Sequence, residues 1–290
     1  AESGSTDTFT VVLDAEPASD VVLAVTSSDT GEATVNGSSV DNNSLTFTSA
    51  NWDTPQSFTV TGADDDLVDG TVTSTLTVTV VDALSEDSFD SINDQAVSVT
   101  TTDNDVAGFT IAETNGSTAV AESGSTDTFT VVLDAQPTSD VVIAITSNDT
   151  GESSVPSALT FTPANWDTAQ TVTVTGVDDD IIDGTQTSSL TIAVDDFNSD
   201  NDFDSVADQT VSVTTSDNDV AGFTITESSG STGVAESGTT DTFTIVLDAQ
   251  PSSDVVIAIT SDDTGEATVS GSLTFTSENW DTAQTVTVTG

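Results

Sequence analysis

The chain has 290 residues, of which 50 are Asp or Glu, and it contains no Lys, Arg, His or Cys, so its formal net charge is −50. Without those residues it cannot form a Ser–His or Cys–His catalytic pair, a Schiff base, a P-loop or a Cys/His zinc site. Nucleic acids and anionic membrane surfaces are poor partners, because no cationic side chain is present to neutralise phosphates. Among the common catalytic chemistries, carboxylate-pair and metal-assisted reactions remain. No apolar run reaches 18 residues, so membrane insertion is not expected.

Internal repeats organise the chain. The tetrapeptide Asn-Trp-Asp-Thr begins at Asn51, Asn165 and Asn279, in steps of 114 residues. A unit of that length is a domain and is too long for a solenoid repeat. We therefore predict a first unit at 1–105 that lacks its first strand, a complete second unit at 106–219, and the first half of a third unit at 220–290. A chain that starts and stops within units is expected to be a window on a longer array.

Within the complete unit, apolar and polar residues alternate in short runs rich in β-branched side chains, and Asp, Asn, Gly, Ser and Pro separate the runs. No stretch has a helical period. The runs predict seven strands, at Gly108–Glu113, Thr128–Asp134, Val141–Thr146, Leu159–Thr162, Thr171–Thr175, Ser188–Val194 and Thr210–Thr214. Seven short strands in a unit of this size are typical of an all-β sandwich with Greek-key character.

One tryptophan precedes a strand in each unit, at Trp52, Trp166 and Trp280. Such a ring either stacks on a sugar or closes one end of the sandwich. Its fixed place beside the predicted core favours the structural role.

Acidic residues of the complete unit concentrate at four places: Glu122, Asp149, Asp178–Asp180 with Asp183, and Asp217 with Asp219. Loops at one end of a sandwich converge, so these places predict up to seven neighbouring carboxylates. With no basic residue to neutralise them, a bound cation is favoured, and Ca²⁺ takes six to eight such oxygens. Two alternatives stay open: each Asp is an ordinary turn residue, or the acid only solvates the surface. The motifs DDDxxDG and DND recur intact and favour Ca²⁺, whereas a more variable loop holds Asp87, Asp90, Asp200 and Asp204.

Several motifs resemble those of the Calx-β domain, and most closely the Asp/Thr-rich Calx-β-like tandem repeats of giant bacterial surface and adhesin proteins. They are Glu122-Ser123-Gly124, Leu159–Thr162, Thr171–Val174 before the acidic run, and the closing Thr215–Asp219. The resemblance extends over the whole chain. It implies tandem seven-stranded immunoglobulin-like, Calx-β-type β-sandwiches with Ca²⁺ bound at one end, beside the link between units.

The resemblance also implies metal ligands, position by position. In the second unit these are Glu122, Asp149, Asp178, Asp179, Asp183, Asp217 and Asp219. In the first unit they are Glu2, Asp29, Asp64, Asp65, Asp69, Asp103 and Asp105. In the third unit Glu236 and Asp263 remain. Members of the family often carry Glu where Asp69 and Asp183 stand, so this chain departs from the pattern with a shorter side chain.

Together these inferences predict a Ca²⁺-binding structural segment of a long extracellular rod, filament or adhesin stalk on a bacterial surface. Its expected partners are neighbouring units of the same chain. A filament in which another copy of the chain supplies a missing strand is an alternative. A sugar-binding or accessory module of a secreted enzyme is the rival function, and an ice-binding face of Thr-rich strands is a third. Catalysis is not expected, because three near-copies in tandem suit a mechanical role and no cleft-forming insertion is visible.

Overall fold

A computed structural model describes residues 1–37 and 43–290, and the chain forms three consecutive pairs of β-sheets. The predicted fold class is confirmed: the described chain is all-β and consists of tandem β-sandwiches. Helical structure among the described residues is limited to 3-10 turns, and none of it is long and apolar enough to cross a bilayer.

The first unit has two facing sheets. One has the strand order β1-β5-β3 and the other β4-β2-β6-β7. The strands are β1 (Thr6–Val11), β2 (Val21–Ser27), β3 (Ala33–Asn36), β4 (Ser44–Phe47), β5 (Gln56–Gly62), β6 (Thr71–Val80) and β7 (Gln95–Thr102), with 3-10 turns at Asp82–Leu84 and Asp87–Phe89.

The second unit is the most complete sandwich, with sheet orders β12-β14-β10-β8 and β13-β11-β15-β16-β9. Its strands are β8 (Phe109–Glu113), β9 (Thr118–Ala121), β10 (Thr126–Leu133), β11 (Val141–Ser147), β12 (Ser153–Ser154), β13 (Ala158–Phe161), β14 (Gln170–Gly176), β15 (Gln186–Val194) and β16 (Gln209–Ser216), with 3-10 turns at Thr114–Gly116 and Asn201–Phe203.

The second unit therefore has two strands beyond the seven predicted, β9 and β12. A turn at Thr114–Gly116 divides the first strand, and β9 crosses to the opposite sheet, where it runs parallel to β16. Asn115 and Gly116 have φ values of 59° and 80°, a conformation that Asn and Gly adopt most readily. The crossing matters for the site because β9 leads directly into Glu122.

The third unit has sheets β17-β18-β22-β20 and β19-β21. Its strands are β17 (Phe223–Glu227), β18 (Thr240–Leu247), β19 (Val255–Ile257), β20 (Thr268–Val269), β21 (Leu273–Phe275) and β22 (Gln284–Thr289). All five residues of β17 are exposed, whereas Phe109 of the equivalent β8 is buried.

Alternating apolar residues from both sheets fill each sandwich. Phe129, Phe161 and Leu190 are fully buried in the second unit, and Trp166 packs against this core. Trp52 and Trp280 pack in the same way against the first and third cores. The backbone carbonyl of each Trp accepts a hydrogen bond from a buried leucine: from Leu13, which follows β1, or from Leu133 and Leu247, which end β10 and β18. These contacts give the tryptophans a structural role.

The first unit carries an apolar groove of about 810 Å³ along β1. Phe9, Val11, Val80 and Phe89 are among the residues that line it. In the second unit the equivalent edge, that of β10, pairs with β8, and the side chain of Phe109 is buried there. The groove of the first unit therefore lies where β8 packs in the second unit.

Phe161→Ala is expected to destabilise the second unit by about 3–5 kcal/mol, because it leaves a cavity in a close-packed core. Phe197→Ala should change stability by less than about 0.5 kcal/mol, because the Phe197 ring is 94% exposed. Denaturant unfolding followed by Trp166 fluorescence, with Trp52 and Trp280 replaced by Phe, measures both. Equal effects would contradict the assigned core.

Candidate metal centre

Glu122 lies at the centre of the acidic end of the second unit. It follows β9, and its backbone N–H donates to the Ser216 carbonyl at 3.1 Å, which ties it to the end of β16. Gly176 ends β14 so close to the Ala121 backbone that a Cβ at this position would clash with it. The Glu122 side chain is 1% exposed, and so is that of its first-unit equivalent Glu2.

A second buried carboxylate comes from a residue that the sequence reasoning missed. Glu152 follows the Asp149–Gly151 turn, and its side chain is buried. Its carbonyl accepts hydrogen bonds from Val177 N–H at 3.0 Å and Thr215 Oγ1 at 3.4 Å, so two strand ends hold it. The sequence does contain a pattern that singles out this glutamate: Thr-Gly-Glu recurs in all three units, ending at Glu32, Glu152 and Glu266.

In the second unit these side chains form two neighbouring groups that share Glu122. One group is Glu122, Asp217 and Asp219; the other is Glu122, Glu152 and Asp179. Within each group one carboxylate oxygen from each residue lies within 4.8 Å of the corresponding oxygens of the other two. The shared glutamate makes this a double site.

The first unit repeats the arrangement around Glu2. One group is Glu2, Asp65 and Asp105; the other is Glu2, Glu32 and Asp69. Asp103 lies alongside and uses its carboxylate to accept from the backbone N–H groups of Gly70 at 2.9 Å and Asp105 at 2.6 Å. The two units thus use equivalent loops, with small differences in which Asp of the acidic loop faces which group.

Many of these buried oxygens have no hydrogen-bond partner. Among the described residues they include both carboxylate oxygens of Glu2 and one each of Glu32, Asp69, Asp105, Glu122, Glu152 and Asp219. Buried polar atoms in folded proteins are almost always paired. Because the chain has no cationic side chain, no internal salt bridge from such a side chain can supply the missing partner.

Burial and mutual repulsion raise the pKa values of these carboxyl groups. Burial raises the pKa of Glu32 to about 7, with repulsion from Asp69 as the next cause. The pKa of Glu152 is raised mainly by burial and then by Asp183 and Glu122. The pKa values of Glu2, Asp69, Asp105, Glu122 and Asp219 are raised as well, in each case chiefly by burial. At neutral pH this end of each of the first two units favours protons or another cation.

Several of the predicted ligands lie outside these groups. Asp149 is exposed, and its carboxylate accepts from Gly151 N–H at 3.0 Å within its own turn; Asp29 does the same with Gly31. Asp178 accepts from the Asn218 side chain at 2.8 Å, and Asp64 from Asn104 at 3.4 Å. The Asp183 side chain is exposed at the edge of the cluster.

In the third unit Glu236 and Asp263 are exposed, and Asp263 accepts from Gly265 N–H in the same type of turn. Of the variable-loop acids, Asp200 is buried as a cap that accepts from Thr138 Oγ1 and Ser139 N–H. These hydrogen bonds outweigh burial and lower the pKa of Asp200. Its role is structural.

The donor set fits a hard divalent cation. All the candidate ligands are oxygens, and oxygens bound to one Ca²⁺ at about 2.3–2.6 Å lie within about 5 Å of one another. The unpartnered buried oxygens of Glu2 and Glu122 would gain partners, and bound positive charge would offset the repulsion that raises the pKa values.

Comparison with known proteins assigns the chain to no family. No protein-family model and no curated protein sequence matches the chain. Similar solved structures include domains 4 and 5 of the S-layer protein SbsC, at 18% identity and a TM-score of 0.31 over 67% of this chain and 70% of that one. The calcium binding domain CBD12 of CALX1.1 has 14% identity and a TM-score of 0.23 over 66% of this chain and 74% of that one. At these values the likeness is one of β-domain architecture.

The raised pKa values predict that the metal-free chain loses stability as pH rises. Below the ordinary carboxyl pKa of 4.5 both states are protonated; between there and about 7 the folded chain binds more protons at Glu32 than the unfolded chain does. The free energy of unfolding should therefore fall between pH 5 and pH 7.5.

Chemical denaturation of chain dialysed against EDTA measures this slope. Glu32→Gln, which cannot titrate, should flatten it. Stability that rises with pH over this interval would contradict the assignment.

Proposed function

We propose that the chain is a Ca²⁺-binding structural segment of an extracellular rod or stalk. One observation carries the proposal: a glutamate that is 1% exposed lies among converging carboxylates at the same end of each of the first two units. Both side-chain oxygens of Glu2 and one of Glu122 have no hydrogen-bond partner, while the other oxygen of Glu122 accepts from the Asn218 N–H at 3.2 Å. An acidic cluster alone would be a solvated surface. A buried carboxylate without a partner costs free energy unless a proton or a cation neutralises it.

Ca²⁺ suits this donor set better than Mg²⁺. The groups offer many oxygens on flexible loops, and Glu122 would bridge two adjacent ions. Ca²⁺ accepts six to eight ligands in irregular geometry, whereas Mg²⁺ requires a near-ideal octahedron and retains water. The proposed ligands are Glu122, Glu152, Asp179, Asp217 and Asp219, with Asp183 and Asp178 at the edge and Asp149 as a turn residue. In the first unit the proposed ligands are Glu2, Glu32, Asp65, Asp69 and Asp105, with Asp103 alongside.

The place of the site suggests a mechanical role. Asp105 and Asp219 each end a unit, and a short linker follows in which Val106 and Val220 are 76% and 77% exposed. A cation bound by Asp105 and by the loop carboxylate of Asp65 would fasten the linker to the end of its own unit. Outside cells Ca²⁺ is abundant enough to fill weak sites, so a bacterial surface stalk is the proposed location.

Self-association is a second proposed partner relationship. The groove along β1 has the position that β8 occupies in the second unit, and β17 of the third unit presents Phe223 and Ile225, each 53% exposed. In this structure β17 pairs with β18 of its own unit, so it would have to leave that sheet to fill the groove of another copy and generate a head-to-tail filament.

No catalytic role is proposed. Glycosidase carboxylates flank an open cleft, whereas Glu122 and Glu152 are buried between strand ends. The tryptophans, which are the rings considered for sugar stacking, pack against the cores and so give no support to a sugar-binding accessory role.

Ca²⁺ is expected to stabilise the chain. A ligand that binds only the folded state adds RT ln(1 + [L]/Kd), or about 2.7 kcal/mol per site at a hundred times Kd. Thermal melting should shift upward with Ca²⁺, less with Mg²⁺, and return to its starting value with EGTA at pH 7.5. NaCl at equal ionic strength is the control for screening. Melting that responds equally to NaCl and Ca²⁺ would refute the proposed function.

Glu152→Gln is expected to weaken Ca²⁺ binding to the second unit by about tenfold or more, because an amide cannot replace a carboxylate on the ion. Asp204→Asn is the matched control. Like Glu152→Gln, it replaces one carboxylate of the second unit by an amide, but Asp204 lies on an exposed loop outside the groups. Isothermal titration of the full chain compares the two. Equal losses would show that general charge, and not these ligands, governs binding.

A further inference from the structure

The acidic loop of each of the first two units contacts the unit that follows it. Leu67 forms a parallel β-bridge with Gln136, and Ile181 forms the equivalent bridge with Gln250. The Gln136 N–H donates to the Asp66 carbonyl at 2.7 Å, and the Val68 N–H donates to the Gln136 carbonyl at 3.0 Å. The Gln250 N–H donates to the Asp180 carbonyl at 2.6 Å. An equivalent β-bridge therefore occurs at both joints, between different pairs of units.

The turn that receives the loop is held rigidly by its own unit. The Gln136 side-chain amide donates to the Pro163 carbonyl at 2.9 Å, and the Gln250 amide donates to the Ser277 carbonyl at 3.1 Å. Val68 of the preceding unit also packs against the core of the second unit. Backbone hydrogen bonds, a neutral amide and an apolar contact thus meet beside a run of aspartates.

The docked loop also carries a proposed metal ligand. Asp65 accepts a hydrogen bond from the Leu67 N–H at 2.9 Å, and Asp179 accepts one from the Ile181 N–H at 2.7 Å. Leu67 and Ile181 are the residues that form the bridges. One hydrogen bond therefore separates a cation-binding carboxylate from the contact with the next unit.

We propose that Gln136 and Gln250 are positioning residues for the cation sites of the units that precede them. This inference rests on the proposed function and extends it: each site is completed by its own carboxylates and by the turn of the following unit, which holds the acidic loop in place. If docking orders the loop for the cation, binding the cation strengthens docking by the same factor.

The test uses the full chain with Glu152→Gln and Asp179→Asn, so that Ca²⁺ titrates the first unit's site. Adding Gln136→Glu removes the amide donor to the Pro163 carbonyl and places a carboxylate, which cannot donate, against that oxygen. We expect a loss of Ca²⁺ affinity of roughly three- to tenfold, although Gln136 lies in another unit from the ligands. The matched control is Gln170→Glu, which makes the same charge change in the second unit, where the amide donates to the Thr160 carbonyl at 2.8 Å, away from the joint. Equal affinities for the two variants would overturn the proposal.

A second measurement separates this inference from the metal hypothesis. Because the chain has no Cys, spin labels at Asp53→Cys and Asp208→Cys report one distance across the first joint. Without metal, Gln136→Glu should broaden the distance distribution measured by pulsed electron paramagnetic resonance, and Gln170→Glu should not. If the wild-type chain bound no Ca²⁺, the proposed function would fail, yet this broadening would still establish docking. An unchanged distribution in Gln136→Glu would refute docking whether or not Ca²⁺ binds.

Discussion

Buried negative charge without a positive partner is the constraint on which the rest of this structure depends. Glu2 and Glu122 are buried among other carboxylates in a chain that has no Lys, Arg or His. Burial and repulsion both disfavour the ionised form, and the raised pKa values of the surrounding acids express that cost. Folding must then be linked to something that neutralises the charge, either protons at low pH or a cation at neutral pH. The strand framework determines where that charge is concentrated.

The fold was largely predictable because it follows from period-2 alternation and an obvious repeat. Each of the seven predicted strands has a counterpart in the second unit, as β10 (Thr126–Leu133) illustrates for the prediction Thr128–Asp134. The two further strands were not predicted because neither leaves a recognisable pattern in the sequence. Strand β12 has only two residues. Strand β9 has four residues and depends on a parallel partner almost 100 residues away. Long-range parallel pairing has no local signature in a sequence.

The convergence of carboxylates at one end of each of the first two units was also predictable from the sequence, while the residues that form each group were not. Asp149 and Glu152 lie three residues apart in one turn, and either can supply an oxygen. In the structure the two side chains have different roles. The Asp149 carboxylate accepts a hydrogen bond from the Gly151 N–H within its own turn, whereas the Glu152 side chain is buried beside Glu122. Turn-capping by Asp is a local preference that competes with metal binding, and the longer Glu side chain reaches the converging end. The recurring Thr-Gly-Glu was the available signal.

At the two joints, the glutamate of the unit that receives the acidic loop is buried in one case and exposed in the other. This difference shows which of the two units docking depends on. At the first joint, the second unit that supplies Gln136 has its own buried Glu122. At the second joint, the third unit that supplies Gln250 has an exposed Glu236, yet the β-bridge forms in the same way. Docking therefore does not require an assembled site in the receiving unit. It requires the acidic loop of the preceding unit, whose carboxylates face its own cluster while its backbone faces the next turn. Because the docking hydrogen bonds use backbone atoms of the loop, its carboxylates take no part in the contact, and one loop contributes both to an acidic cluster and to the contact with a neighbouring domain.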